Sequence, residues 1–508
     1  MADEAHEFSK EDLALLQNHV SNTDKDIYVI YNLPPEVVAV LFAYVSRSPA
    51  SFRENLLKLI KSKDLDLGEL IKVYTDKGSE YAEAKEKARK FHERWVVGYG
   101  HSSVAEHAVA SIALENVSIL ATKAIEDSRL ASYTEKSTRY QVFDRHRYYK
   151  PWNVMKSEAS ELYQQTCESL FDLYLEIMPR LLERMQKLYP KTEETSDALY
   201  EATTKARACD VARYVLPAAT LTNLAVTINA RSLERMITKL LSHPLNEMNH
   251  IGSGIKAEVL KIIPTLVKYA DQNLYIAETD RLMKPFLADM GTGAGRRDEN
   301  SAVLVGYEKE AENKVVASII YKYSHEPYGQ ILERVRKMGD EEKERIFDEF
   351  MRRMGKHDQP MRELEHAYYT FDILVDYGAF RDIQRHRLCT QTNQELTTAN
   401  GYAMPQEIAD IGYEKRFREA MDTAAAAFKK IAASLPKEAQ YVVPLAYRKR
   451  TLFTWNLREI YHFVKLRSSK EGHISYRKVA WDVYNEIKRV HPLLAKYIKA
   501  DLSEGPSR

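Results

Sequence analysis

Cysteine is nearly absent: Cys167, Cys209 and Cys389 are the three in the chain, far apart and with no CxxC pair. That excludes a disulfide framework or a zinc knuckle and fits a reducing compartment. Glycine and proline are sparse, 18 and 17 in 508 residues, which excludes collagen-like and low-complexity chains. An excess of one charge is missing as well, because 74 Lys and Arg meet 73 Asp and Glu. No global field then argues for nucleic acid or an anionic membrane, and any recognition of phosphate must be local. No run reaches the roughly 18 apolar residues of a membrane helix. The opening MADEAHEFSKEDLALLQNHV is acidic and amphipathic, without the apolar core of a secretory signal. The expectation is a cytoplasmic protein. No GxSxG elbow, kinase signature or Walker lysine loop is present, which lowers the case for hydrolysis or phosphotransfer.

What is there is 44% hydrophobic and 29% charged, the balance of a folded globular chain. At about 150 residues per domain the length predicts two or three domains. Landmarks recur in order. Glu106-His107-Ala108 returns as Glu365-His366-Ala367, each followed about twenty residues later by an arginine-bearing polar segment, AIEDSRLASYTEKSTRY and DIQRHRLCTQTNQELTT. Val215-Leu216-Pro217 returns as Val442-Val443-Pro444. The step from Pro217 to Asn229 is 12 residues, and so is the step from Pro444 to Asn456. Each Asn opens a similar phrase, NARSLERMITKLL and NLREIYHFVKLRS. Equal spacing across four landmarks points to an internal duplication. MGTGAGRRDENSA, between the copies, reads as a linker. Its glycines lack the preceding β-branched run and following helix of a phosphate loop.

Apolar residues at i, i+3 and i+4 predict helices in 158–190, 233–241, 257–270, 329–353 and 477–497. VASIALENVSI, AYYTFDILVD and KSTRYQVF are strand candidates. The first copy is longer between its landmarks, and the excess falls in the helical stretch 150–205, which predicts an added hairpin.

Several residues could carry chemistry. In SYTEKSTRY, Glu135, Ser137 and Arg139 alternate, so an extended backbone would set all three on one face, about 7 Å apart. Such a row could grip an anionic, amide-bearing ligand; a solvated edge strand is the alternative. Arg385, His386 and Arg387 are consecutive and would fan around a bulky anion such as pyrophosphate, or form a basic surface patch. Arg467 continues the helical stripe of Leu457, Ile460 and Val464, so it points inward toward a carboxylate or a ligand anion unless the helix end frays. The first copy has Leu240 at that offset. HSSVAEH, with His101, Ser103, Glu106 and His107, lacks metal-ligand spacing. It reads as a cap and turn before a strand, or as a ligand contact by Ser103 and Glu106.

Taken together, both halves resemble flavin-dependent thymidylate synthases, whose signature is RHR, a spaced Ser and then S-x-R. The first copy is similar in GHSSVAEH, ASYTEKSTRY, VARYVLP and NARSL; the second in ELEHAYYTF, RHR, VVPL, N-x-R and KLRSS. The departures are complementary. The first copy has Asp127-Ser128-Arg129 where RHR belongs, and the second has Glu395-Leu396-Thr397 where S-x-R belongs. The resemblance implies an α+β fold of two tandem modules, each a mainly antiparallel sheet packed with helices. Its boundaries would be an N-terminal helical extension over 1–26, modules over 27–282 and 303–500, and a linker over 283–302. It implies reductive methylation of dUMP to dTMP with FAD, NADPH and methylenetetrahydrofolate; another pyrimidine nucleotide or a degenerate nucleotide-binding scaffold is the alternative. Ser137, Arg139 and Arg467 would be catalytic, with Glu135 and Arg213 joining them on the nucleotide. Arg385, His386, Arg387, Asn456, Arg458, Ser103, Glu106, Asn229 and Arg231 would hold the cofactor. Composite sites would then join the copies, and a homodimer would stand in for the family's tetramer.

Overall fold

The computed structural model describes residues 8–45, 50–61, 104–289 and 301–503. Packing divides the chain into two compact units. One draws on Met1–Glu115, Leu130–Glu135 and Asn223–Gly291; the other on Asn116–Arg129, Lys136–Thr222 and Thr292–Arg508. The two units are not the two copies: the second unit combines much of the first copy with all of the second.

In the first unit, helices α1 (Lys10–Gln17), α2 (Pro35–Val45) and α3 (Phe52–Lys61) share a core of Leu16, Val20, Val37, Leu41 and Leu56. The strands β1 (Val109–Ser118), β2 (Ala131–Glu135) and β3 (Leu221–Asn229) form a sheet in the order β1-β3-β2, with β2 and β3 antiparallel. The helix after β1, α4 (Ile119–Ile125), belongs to the second unit. So does the hairpin of α5 (Ser160–Leu188) and α6 (Asp197–Ala212), two helices where the second copy has the single long helix Glu414–Ala432. After β3, α7 (Ala230–Leu241) packs on α8 (Asn246–Val259) in the first unit, followed by α9 (Leu274–Asp289). Gly252 permits that approach, because a Cβ there would stand 2.9 Å from the Cβ of Leu240.

The second unit carries the antiparallel sheet β4-β5-β7-β6, formed by β4 (Ala302–Tyr307), β5 (Tyr368–Asp376), β6 (Cys389–Asn393) and β7 (Arg448–Asn456). Its helices after β4 include α10 (Ala311–Lys322), α11 (Tyr328–Arg336), α12 (Asp340–Met351), α13 (Tyr377–Ile383), α14 (Glu414–Ala432), α15 (Leu457–Arg467) and α16 (Ile474–Val490). Alternate residues of β5 and β7, including Tyr369, Phe371, Phe453 and Trp455, are fully buried, as a strand with one face on a core requires.

Local chemistry repeats as the sequence does. Ser118 and Asp376 cap α4 and α13, each accepting from the third backbone N–H, at 2.9 and 2.8 Å. Asn229 and Asn456 cap α7 and α15 in the same way, at 2.8 and 2.9 Å. Within the second unit the two proline landmarks meet. Ala218 N donates to Val443 O while Leu445 N donates to Leu216 O; Ala219 N donates to Tyr441 O while Ala446 N donates to Tyr214 O, all four at 2.9 Å. The partners exchange places when the copies are swapped, so the loops are related by a pseudo-twofold axis inside one chain.

Several expectations change, among them the helix over 477–497, which ends at Val490 before a separate short helix, Pro492–Ala495. KSTRYQVF is no strand: β2 ends at Glu135, and Ser137 Oγ accepts from Arg139 N at 3.1 Å, folding a turn instead. The row of Glu135, Ser137 and Arg139 therefore does not form. The helix expected over 257–270 ends at Val259, with turns running on through Pro264. The stretch 329–353 is two helices, because extended Gly339 separates α11 from α12.

Candidate functional site

Arg467 is the last residue of α15 and its side chain is turned inward, only 13% exposed. Its Nε donates to His386 Nε2 at 3.0 Å, its Nη2 to Asp382 O at 2.7 Å, and its Nη1 lies 3.6 Å from Asp382 Oδ1. The guanidinium carbon sits 5.4 Å from the centre of the Tyr476 ring, within reach of its π-face. The helix end does not fray, and the inward direction read from the apolar stripe holds.

Tyr476 connects this arginine to the first copy. Burial first, then the field of Asp382, raises its hydroxyl above the ordinary range, against the lowering effect of Arg139, and Asp210 adds to the rise. Arg139 Nη2 pairs with Asp210 Oδ2 at 3.1 Å, and Arg213 Nη2 lies 2.8 Å from Asp210 Oδ1. Burial alone would raise the Asp210 carboxyl, but Arg213, His473 and Arg139 outweigh it and hold it low. Arg213 is raised despite its burial, because Asp210 and Asp382 face it. Thr138 Oγ1 accepts from Arg213 Nη1 at 3.4 Å and from Arg381 Nη1 at 3.2 Å, so one hydroxyl spans both copies. Nε of Arg139 and Nε of Arg213 are buried with no hydrogen-bond partner among the described residues. Two buried N–H groups without acceptors, in a cluster of guanidinium groups, are the setting in which an anion is favoured.

A cleft of about 350 Å³ lies beside this cluster, lined by Arg129, Arg385, Arg387, Asn456, Arg458 and Arg467, with Glu365 and Glu459 among them. Arg387 Nη1 donates to Ser128 O and Arg129 O, each at 3.0 Å, clamping the first copy's Asp127-Ser128-Arg129 turn to the second copy. Arg458 meets Glu365 at 3.1 Å. The first copy repeats that pair as Arg231 with Glu106 at 2.5 Å, about half exposed on both sides. Volume alone would favour a cleft of about 1060 Å³ on α10 and α12, but its lining is chiefly Ile319, Ile320, Tyr323, Ile346, Phe350 and Met354. The convergent cations lie in the smaller one.

The remaining expected residues are placed as follows. Ser103 falls outside the described residues. Glu135 is buried at the end of β2, and Ser137 turns onto the backbone of Arg139. Asn229 caps α7; Asn456 both caps α15 and borders the cleft. Sequence reasoning missed Asp210, Asp382, Glu459, Tyr476 and Arg129. Asp210, three residues before Arg213 on a helix, was a readable signal, since that spacing brings the two side chains together. Cys389 is no nucleophile at neutral pH, because burial pushes its thiol up to about 12.

The model of the thymidylate synthase complementing protein family matches residues 49–265 and again 303–493. The chain belongs to this family. Two matches in one chain establish the tandem duplication. A UPF0159 protein of Chlamydia muridarum is 37% identical over 98% of this chain and 96% of its own length. A UPF0159 protein of Chlamydia pneumoniae is 34% identical over the same shares. A flavin-dependent thymidylate synthase of Clostridium tetani is 29% identical over 37% of this chain and 72% of its own length. No helix among the described residues is long and apolar enough to cross a membrane.

Proposed function

We propose that this family member is a flavin-dependent enzyme that methylates a uracil nucleotide, dUMP to dTMP, at one composite site per chain. The observation that carries the reading is the Thr138 hydroxyl shared by Arg213 of the first copy and Arg381 of the second, with the Arg139–Asp210–Arg213 cluster and the Asp382–Arg467–Tyr476 cluster each within the other's electrostatic reach. Each copy lacks what the other supplies. The relative from Clostridium tetani, named a flavin-dependent thymidylate synthase, supports the flavin.

The residues of the cleft fit a dinucleotide cofactor at its pyrophosphate: Arg129, Arg385, Arg387 and Arg458 surround a space too small for the whole molecule but ample for two phosphates. When bound, FAD would supply the hydride, with NADPH as its reductant and methylenetetrahydrofolate as the one-carbon donor. The chain's own part is to bind and orient. Arg139 and Arg213 would take the nucleotide phosphate through their free Nε–H groups, and Arg467, held over Tyr476 and lining the cleft, would lie between the pyrimidine and the cofactor's pyrophosphate. Aspartates already beside the arginines favour a second reading, a nucleotide bearing less negative charge, because Asp210 and Asp382 neutralise part of the field a phosphate dianion would use.

The test is turnover with dUMP, methylenetetrahydrofolate and NADPH, together with the visible spectrum of the purified protein. A reducible flavin at one per chain and formation of dTMP are expected; a colourless protein that takes up no flavin would end the proposal. Chains carrying Arg139→Ala and chains carrying Arg467→Ala, each impaired by about 30-fold or more, should not rescue one another when mixed. Recovery on mixing would mean that the sites form between chains.

A further inference from the structure

One buried carboxylate plays no part in the binding scheme above. Glu459 is the third residue of α15, where an acid after an Asn cap ordinarily bonds back to the start of its own helix. Here its Oε1 lies 3.0 Å from His386 Nδ1 instead, with both side chains less than a tenth exposed. His386 Nε2 accepts from Arg467 Nε at 3.0 Å. An arginine Nε–H only donates, so Nε2 must present its lone pair. The ring proton then sits on Nδ1 and is donated to Glu459. The three groups form one directed chain, Arg467 to His386 to Glu459, with a single compatible tautomer.

The duplication supplies an internal control. At the matching positions the first copy has Ser128 for His386, Ser232 for Glu459 and Leu240 for Arg467. His386, and Glu459 and Arg467 on α15, are all three replaced, while the caps Asn229 and Asn456 and the pairs Glu106–Arg231 and Glu365–Arg458 are kept in both copies. Groups present or absent as a set, in a scaffold otherwise retained, act as a unit.

We infer that Glu459 is a positioning residue that fixes His386 as its Nδ1–H tautomer, so that His386 in turn locks the Nε edge of Arg467 and aims the guanidinium at the anion site. This rests on reading the Arg385–Arg467 cleft as that site. Burial, reinforced by the charges of Arg467 and His462, holds His386 well below the ordinary imidazole range, so the neutral ring persists at neutral pH. Asp382 is the carboxylate that opposes this trend, and it faces Arg467 rather than the ring.

The full-length protein with 15N-labelled histidine tests the claim directly, with the His386 signal assigned by its loss in His386→Asn. The expected spectrum shows a protonated Nδ1 and an unprotonated Nε2 that does not titrate between pH 6 and 8; the opposite tautomer, or an ordinary titration, overturns the inference. Glu459→Gln and Glu459→Ala then separate the hydrogen bond from the charge, since both are neutral but only glutamine still accepts from Nδ1–H. Glutamine should keep the tautomer and bind inorganic pyrophosphate about tenfold more tightly than alanine does. Equal affinity for the two variants, with both folded by circular dichroism, refutes the positioning role. If pyrophosphate binds no form of the protein, the cleft reading fails and with it the aim assigned to Arg467, while the tautomer measurement still decides the chain itself.

Discussion

The turns that open α7 and α15 are built alike: an Asn at the end of a strand caps the helix, and an Arg two residues later meets a Glu from a preceding 3-10 turn. Eleven residues after the cap they part. Leu240 is buried against Gly252, whereas Arg467 is held by His386 and Asp382 beside a charged cleft. The scaffold and the chemistry of a duplicated module are thus separable. Capping and strand pairing use groups that both copies need in order to fold. The charged set is not shared, and burying such groups without partners of opposite charge would cost several kcal/mol.

That contrast can be broken most sharply at Arg213, whose counterpart in the second copy is Gln440. Arg213→Leu leaves the buried Asp210 with Arg139 and His473 but without its strongest cationic partner, and urea unfolding should show a loss of about 3 to 5 kcal/mol. Gln440→Leu removes neutral bonds to Leu396 N and Lys437 O, so about 1 to 3 kcal/mol is expected. Equal losses would mean that the buried charges do not distinguish the copies.

Lys449 gives the next contrast, since the first copy has Thr222 at that register. Burial pulls the Lys449 amine down to about 8, with its Nζ set over the Phe380 ring at 5.1 Å. In the unfolded chain the amine titrates near about 10.4. Between these values the unfolded state binds more protons, so stability rises with pH across that window, by about 3 kcal/mol in all; below it the burial cost of the charged amine is constant and the group adds no pH dependence. Denaturation series from pH 7.5 to 10.5 should lose that rise in Lys449→Thr.

Smaller effects sharpen the same point. Asn229→Ala and Asn456→Ala should each lower stability by about 1 kcal/mol, but Asn456→Ala alone should also weaken pyrophosphate binding in calorimetry, because Asn456 borders the cleft. At the bottom of the scale, Arg231→Ala removes a half-exposed ion pair and should change the melting free energy by less than about 0.5 kcal/mol. Arg458→Ala, in the cleft, should be felt in binding.

Much of this was readable in the sequence because it is local. Equal landmark spacing exposed the duplication, and the stripe through Leu457, Ile460 and Val464 aimed Arg467 inward. The alternation of Glu135, Ser137 and Arg139 misled, because an alternating pattern cannot reveal that a serine hydroxyl will close a turn on Arg139 N and end the strand. Asp382 and Glu459 gave no signal, since an acid on a helix is most often a solvated one.

The sequence by itself determined that two related modules exist, where the most strongly periodic helices lie, and that each departs from a shared polar set at a different place. Those are matters of period, propensity and capping, which act over a few residues. Only the tertiary structure decided which side chains of the two copies come together. The pairing of the Pro217 and Pro444 loops brings Arg139 and Arg213 into the same electrostatic neighbourhood as Arg467, a juxtaposition set by backbone hydrogen bonds between residues more than 200 positions apart.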